Sequence, residues 1–249
     1  MELLNSISRQ TILPNKTLIV INNFKKNFEQ TKIESNDFIK NAPTNIALEV
    51  IISNEKGVSK ARNIGMDNCK TEYLIYGDDD DLWSENKIEL ILSQLKRHKV
   101  PTLIRHGFVH LKSNGKEIQK KFYNKKIGLR IGAIANYYGG GSTLSGNTSI
   151  FKSLRFNENL NSCEDWDFWL RANYAEINIS TIEKPLVKYR VHPNRMTKSI
   201  WNMFKFELFL RIKYICKSLN IFIFMIIGLI FSSIKFFLKS ILLILKINL

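Results

Sequence analysis

Four consecutive aspartates, Asp78 to Asp81, are the part of this sequence best suited to chemistry. Carboxylates this close together repel one another, so a bound cation would offset their charge. Hard divalent cations such as Mg²⁺ and Mn²⁺ take oxygen ligands, and Mg²⁺ is commonly held by one or two carboxylates together with substrate phosphates. The spacing of Asp78 and Asp80 therefore predicts a divalent metal site that carries a phosphate-bearing ligand. A solvated acidic loop and acids in the first turn of the following helix are the alternatives.

The elements around the aspartates place them at the carboxyl end of a strand. The apolar stretch before them, Glu72 to Gly77, predicts that strand. After them, Ser84 matches a helix N-cap, and Trp83 is spaced to pack against the first apolar residue of the helix. That helix is predicted from apolar residues at helical spacing: Ile88, Ile91, Leu92 and Leu95. Ligands bind at the carboxyl ends of strands in open α/β sheets, so the aspartates are placed for binding.

Residues 57–77, GVSKARNIGMDNCKTEYLIYG, lead directly into the aspartates. Together they resemble the family-2 inverting glycosyltransferases of the A-type, nucleotide-sugar-binding fold. In that family, Ala-Arg-Asn near a helix start precedes a strand that ends in Asp-x-Asp-Asp and then an aromatic residue. The matching residues are Ala61, Arg62, Asn63, Asp78, Asp80, Asp81 and Trp83. The resemblance implies that Arg62, Asp78 and Asp79 bind the donor and that Asp80, helped by Asp78, binds Mg²⁺ or Mn²⁺.

A second block, CEDWDFWLRA at 163–172, also resembles the family. The family has Glu-Asp there, followed by an aromatic-rich helix. The resemblance implies that Asp165 is the catalytic base, with Glu164 beside it. Taken alone, Ser162 and Asp165 favour a capping box, in which the acids only begin a helix. Together with the first block, in the same order as in the family, the segment favours catalysis.

Four further residues are candidates for contacts with ligands. The segment LVKYRVH resembles the closing strand of the family, which implies that Arg190 faces the diphosphate and His192 the metal. A guanidinium pairs well with phosphate, and imidazole is a common metal ligand. Trp166 and Trp169 are expected either to offer apolar faces to an acceptor sugar or to pack their helix into the core.

The sequence departs from the family at its start. The opening MELLNSISRQT matches the helix that follows the family's first strand, so that strand is expected to be missing. Because it is central to the sheet, its loss leaves backbone groups without partners. A start further upstream, another segment in its place, and a degraded copy are the alternatives. The next strand ends in Asn22-Asn23 where the family often has two acids; Asn23 is predicted to contact the donor, with the base left open.

Composition fits an α/β catalytic domain, since 45% of the 249 residues are hydrophobic and 24% are charged. We expect a Rossmann-like, mostly parallel sheet of the A-type glycosyltransferase fold in residues 1–200, followed by amphipathic and apolar helices in 201–249. Strands are predicted at Lys16–Asn22, Ala47–Ser53, Glu72–Tyr76, Pro101–His110, Asn147–Lys152 and Ile179–Val191. The glycine run Gly139 to Gly141 lacks the spacing of a phosphate loop and is expected to be a turn or an acceptor-side loop.

The net charge of +15 is concentrated in the tail. From Lys184 onward there are twelve Lys or Arg and one acid, Glu207. The same tail is apolar and has no charge in residues 218–234, which suits an anionic membrane surface and not a nucleic acid. Lysines recur on helical faces at 205, 213 and 217 and at 235, 239 and 246. We expect helices that lie in the membrane interface; a re-entrant or short spanning segment and a buried helix pair are the alternatives.

These observations predict a metal-dependent inverting glycosyltransferase. It would move a sugar from a nucleoside-diphosphate sugar, with UDP-sugars favoured, to a hydroxyl of a surface polysaccharide or lipid-linked glycan. No signal peptide is recognised, and three cysteines without metal-ligand spacing fit a reducing compartment, so the cytoplasmic face of the cell membrane is the expected location. The alternatives are an impaired membrane-bound scaffold of a glycan-assembly complex and a nucleotidyltransferase on a related fold.

Overall fold

The computed structural model describes residues 1–22, 28–119, 129–191, 200–215 and 219–244. The helices are α1 (Glu2–Ser8), α2 (Phe28–Lys40), α3 (Val58–Asp67), α4 (Lys87–Leu95), α5 (Leu129–Ile134), α6 (Thr148–Leu154), α7 (Glu164–Tyr174), α8 (Ile200–Ile215) and α9 (Leu219–Ile244). The strands are β1 (Thr17–Asn22), β2 (Leu48–Ser53), β3 (Tyr73–Ile75), β4 (Leu82–Trp83), β5 (Thr102–Lys112), β6 (Glu117–Gln119), β7 (Leu144–Asn147) and β8 (Asn178–Val191). Helices and strands alternate, so the predicted α/β class is confirmed.

The described strands form two separate sheets. β1 and β2 pair in parallel as a two-stranded sheet, with Thr17 opposite Leu48. The larger sheet has the order β3-β7-β5-β8-β4, and β6 pairs with β5 beside this path. β5 and β8 are parallel, whereas β3–β7, β5–β7, β4–β8 and β5–β6 are antiparallel. The larger sheet is therefore mixed, and β5–β8 is the parallel pair among its described strands.

Two helices hold the small sheet against the large one. On one side, Leu4 and Ile7 of α1 pack in a cluster that includes Ile19 of β1 and Trp83 of β4. On the other side, α3 contacts β1, while Met66 of α3 belongs to the main core of the molecule. No strand joins the two sheets within the described part of the chain. The absence of the family's first strand stays a prediction.

One predicted strand is a helix in the structure. The segment Asn147–Lys152 was expected to be extended, but β7 ends at Asn147 and α6 begins at the next residue. Ile150 and Phe151 are adjacent and both buried. A short apolar run of this kind fits a buried strand and a buried helix equally well, so periodicity could not separate them.

Two helix starts also differ from the prediction. The helix expected after Ser84 begins at Lys87, because the N–H and hydroxyl of Ser84 both donate to the carbonyl of Leu186 in β8, at 3.1 and 3.3 Å. α7 begins after Cys163, which has a left-handed φ of 61°, and shows no side-chain cap. Ser162 therefore does not form the predicted capping box.

The main core surrounds α7 and includes both C-terminal helices. Phe168, Trp169 and Leu170 of α7 are fully buried. Residues of α8 and α9 lie in the same cluster: Leu210, Tyr214, Ile221 and Met225. By length and composition, α9 contains one segment, Ile221–Ile241, that could cross a bilayer. The division of the chain at residue 200 stays a prediction.

Candidate active site

The four aspartates lie in the turn between β3 and β4. Asp79 is exposed, Asp78 and Asp80 are half-buried, and Asp81 is 1% exposed. The first three aspartates of the turn are therefore accessible from solvent, whereas the fourth, Asp81, is buried beneath them.

Arg62 joins this acidic turn to α7. It lies on α3 and is 9% exposed. Its Nη2 donates to Asp78 Oδ1 at 2.9 Å, and its Nη1 donates to Glu164 Oε1 at 2.7 Å. Burial opposes the charge on Arg62, but the two carboxylates outweigh that effect and raise its pKa. A charged Arg62 therefore fixes the acidic turn against the first turn of α7.

Glu164 and Asp165 begin α7 and have different surroundings. Glu164 is 7% exposed and paired with Arg62. Asp165 accepts the N–H of Trp166 at 2.7 Å through Oδ1. Burial, together with the nearby charge of Glu164, raises the pKa of Asp165 to about 7. A carboxylate with a pKa near the working pH is suited to act as a general base.

The glycine run Gly139 to Gly141 is part of the site. A Cβ at Gly141 would lie 2.2 Å from Arg62 Nη2, so the guanidinium occupies the place of a side chain there. The next residue, Ser142, is 2% exposed, and its hydroxyl accepts the N–H of Asp78 at 2.7 Å. This loop therefore supports both Arg62 and the acidic turn.

A buried cation that was not predicted from the sequence lies beneath the acidic turn. Lys87 is fully buried; its Nζ donates to the carbonyl of Ser142 at 2.9 Å and lies 3.8 Å from the centroid of the Trp83 ring. Burial lowers the pKa of Lys87 well below its ordinary value, while Asp81 and Asp78 oppose that change. A lysine in the first turn of a helix is unfavourable with respect to the helix dipole. This placement is the feature of the sequence that could have drawn attention to Lys87.

Arg190 contacts the acidic turn from β8. Its backbone N–H donates to Asp81 Oδ1 at 3.1 Å, and its Nε donates to the carbonyl of Asp80 at 3.0 Å. Its guanidinium also pairs with Glu2 of α1. Burial raises the pKa of Asp81 to about 7. In this structure Arg190 thus supports the backbone of the acidic turn, and its contact with a diphosphate stays a prediction.

Asp78 and Asp80 are the described candidates to hold a divalent cation. Within the described ranges, no three or more His, Cys, Asp or Glu side chains are grouped so that they could enclose a metal. Two carboxylates completed by phosphate oxygens suit Mg²⁺. The residues present therefore fit a cation that arrives with a diphosphate. His192 and Asn23, predicted to bind metal and donor, lie outside the described residues.

The two tryptophans predicted to contact an acceptor are buried. Trp166 is 2% exposed, and its Nε1 donates to the carbonyl of Gly132 at 2.7 Å. Trp169 is 0% exposed and stacks on Tyr138 with 5.3 Å between ring centroids. Both rings pack the helix into the core in this structure, which is the packing alternative.

An acidic turn at a strand end, joined by an arginine to a second pair of carboxylates on an α/β fold, defines a glycosyltransferase-like protein of the A-type fold. A sequence profile described as glycosyl transferase family 2 matches residues 1–155, more than half of the chain. The chain belongs to glycosyltransferase family 2. The resemblance drawn from residues 57–83 is thereby confirmed.

Two curated relatives carry the same class of name. An uncharacterized glycosyltransferase of Methanocaldococcus jannaschii is 22% identical over 209 residues, which is 78% of this chain and 66% of that protein. One of Rickettsia typhi is 27% identical over 156 residues, 59% of this chain and 48% of that protein. The chain thus spans two thirds or less of their lengths.

Solved structures of Staphylococcus aureus TarS share the fold. TarS 1–349 gives a TM-score of 0.65 at 17% identity, covering 100% of this chain and 71% of TarS 1–349. Its complex with UDP-GlcNAc gives 0.64 at 18% identity, covering 86% and 62%. At this identity the likeness establishes the fold.

Proposed function

We propose that the chain is a metal-dependent inverting glycosyltransferase that uses a nucleoside-diphosphate sugar, with a UDP-sugar favoured. The observation that carries the proposal is Arg62, which holds the acidic turn and the Glu164–Asp165 pair in one site. One group of acids is suited to a cation and diphosphate, and the other to an acceptor hydroxyl. A structure of TarS with UDP-GlcNAc supports this donor class.

The reaction is a single displacement at the anomeric carbon. Asp165 accepts the proton of the acceptor hydroxyl as the new oxygen–carbon bond forms. The bond from carbon to the diphosphate breaks, and its electron pair goes to the phosphate oxygen. Asp80 and Asp78 would hold a divalent cation, which would supply Lewis-acid stabilisation of that developing charge. One base and no enzyme nucleophile imply inversion of the anomeric centre.

Arg62 and Glu164 prepare Asp165 for this role. Because Arg62 pairs with Glu164, the negative charge of Glu164 repels an ionised Asp165 less strongly. Asp165 can therefore ionise close to neutral pH. Without Arg62, two neighbouring carboxylates would compete for protons. Glu164 is therefore a positioning residue, and Asp165 the group that faces the acceptor.

A binding experiment tests the donor site. Calorimetry with UDP, and GDP for comparison, is expected to show UDP binding that requires Mn²⁺ and is lost in Asp80→Ala. Asp37→Ala, which removes an exposed acid on α2, is the matched control and should bind as the wild type does. Metal-independent binding, or unchanged binding by Asp80→Ala, would contradict the assignment of the metal site.

The break between the two sheets favours a second candidate, an impaired membrane-bound scaffold of a glycan-assembly complex. The β1–β2 sheet carries the region where the donor base is expected, and no strand joins it to the larger sheet within the described residues. A folded sample that binds neither UDP nor GDP would favour the scaffold.

The acceptor is proposed to be a surface polysaccharide or lipid-linked glycan at the cytoplasmic face of the membrane. α9 supports this because one of its sides exposes large apolar residues: Phe222, Ile223, Ile230, Phe231, Ile234, Phe237, Leu238 and Ile241. Lys235 lies on the same helix and Lys205 on the neighbouring α8. Exposed apolar and basic side chains together match an anionic bilayer surface.

Flotation with phosphatidylcholine–phosphatidylglycerol vesicles tests this association. The wild-type chain is expected to float, and replacing Ile223, Phe231 and Phe237 by glutamine should weaken binding by about 100-fold, at about 1 kcal/mol for each side chain. Changing the exposed Ile33 and Val100 to glutamine provides the control. Equal flotation of both variants would count against α9 as the membrane contact.

A further inference from the structure

Arg211 of α8 is a buried cation that ties three helices together. It is 2% exposed. Its Nη1 donates to the carbonyl of Ala133 and its Nη2 to that of Ile134, both at 2.8 Å, so it caps the end of α5. Nη2 also donates to Ser232 Oγ of α9 at 3.0 Å. Arg211 therefore links α5, α8 and α9 through hydrogen bonds.

The same guanidinium reaches the first turn of α7. It lies 4.9 Å from the centroid of the Trp166 ring, a cation–π distance. The Trp166 ring is also held by α5, because its Nε1 donates to the carbonyl of Gly132. Trp166 directly follows Asp165 and donates its N–H to that carboxylate. One side chain thus separates Arg211 from the proposed base.

A second buried cluster ties α8 to α7. Asp167 is fully buried and accepts from Lys213 Nζ at 2.9 Å and from the hydroxyl of Tyr214 at 2.8 Å. It also accepts from Arg171 Nε at 2.7 Å. α8 therefore contacts α7, the helix that carries Asp165, at two residues, Trp166 and Asp167.

α9 packs closely against Arg211 at Gly228, where there is no room for a larger side chain. A Cβ at Gly228 would lie 2.1 Å from Arg211 Nη1 and 2.5 Å from the carbonyl of Ile134. The opposite side of α9 carries the exposed apolar residues proposed to contact lipid. A single helix therefore contacts Arg211 on one side and offers a lipid-compatible surface on the other.

We propose that a bilayer bound to the exposed side of α9 raises turnover at Asp165 through Arg211, so that α8 and α9 position the base in response to the membrane. In water, the hydrophobic effect favours arrangements of α9 that bury its exposed apolar side chains against other parts of the protein. In these arrangements Ser232 and Gly228 lie further from Arg211. Lipid removes that tendency and favours the arrangement described here. The inference rests on the proposed function.

Two measurements on the full chain, with and without phosphatidylcholine–phosphatidylglycerol vesicles, test the coupling. Hydrogen exchange at the α7 amides is expected to slow at least fivefold on vesicles. UDP release from UDP-GlcNAc with water as acceptor is expected to show a kcat at least fivefold higher, with KM changed less than twofold. Arg211→Met should float normally yet lose both effects, and Arg211→Lys should regain part of them.

Ser232→Ala and Ser233→Ala form a matched pair that also decides the matter if Arg211→Met fails to fold. Ser232 contacts Arg211, whereas Ser233 is exposed on the same helix. Ser232→Ala should weaken the vesicle effect on exchange, and Ser233→Ala should keep it. Equal effects in both serine variants, or wild-type exchange at α7 that vesicles leave unchanged, would overturn the inference. A wild type that binds neither UDP nor GDP would instead overturn the proposed function, because the exchange measurement requires no donor.

Discussion

Asp165→Asn is expected to lower kcat by about 10²- to 10⁴-fold and to leave UDP affinity unchanged, because it removes the proposed proton acceptor but no donor contact. Sugar transfer or UDP release measures kcat, and calorimetry measures the affinity. Asp67→Asn, on the exposed side of α3, is the control and should retain full activity. A kcat within tenfold of wild type for Asp165→Asn would contradict the assignment of the base.

The pH profile of the wild type gives an independent check on the same residue. Burial and Glu164 raise the pKa of Asp165 to about 7. A base must be ionised to act, so kcat/KM should be constant above that pKa and fall as the pH drops through about 7. The residual activity of Asp165→Asn should lack this acid limb.

Arg62→Met is expected to lower the free energy of unfolding by about 3–5 kcal/mol and to abolish UDP binding. The change leaves Asp78 and Glu164 as partly buried carboxylates without their cation, which is the costly way to break a buried ion pair. Chemical denaturation measures the stability, and calorimetry with Mn²⁺ measures the binding.

Lys60→Met is the matched control for this prediction. Lys60 lies two residues earlier on the same helix and pairs with Glu55 at the surface. Because water and salt screen an exposed pair, its loss should leave stability and UDP binding nearly unchanged. An Arg62→Met protein as stable as Lys60→Met would show that the bridge between the two acidic groups does not hold the site together.

Local pattern predicted the elements that surround the site. The apolar stretch before Asp78 and the helical spacing after Ser84 correctly predicted a strand before the acidic turn and a helix after it, but not the two-residue strand β4 that lies between the turn and the helix. The family's motifs pointed to Arg62 and the Glu164–Asp165 pair, and the structure brings Arg62 and Glu164 into contact, while their roles stay predictions. These features depend on neighbours in sequence, and periodicity and motif spacing report such neighbours well.

Contacts between distant residues could not be predicted in this way. Arg62 and Glu164 are separated by 102 positions. Neither segment indicates that the Arg62 side chain would contact both Asp78 and Glu164. Lys87 resembled a surface lysine at a helix start, yet the fold buries it beneath the turn. Composition likewise described the C-terminal tail as membrane-associating helices, while the structure also places four of its apolar residues in the main core.

The break between the two sheets also bears on how the chain folds. β1, with the sequence TLIVIN, contains no charged residue, and within the described residues its partner is β2 on one side alone. Proteins ordinarily protect such edges with lysine, proline or a bulge, because an uncovered apolar strand is a template for pairing with another chain. Strand addition between copies, and hence aggregation at high protein concentration, is therefore the expected hazard at this edge.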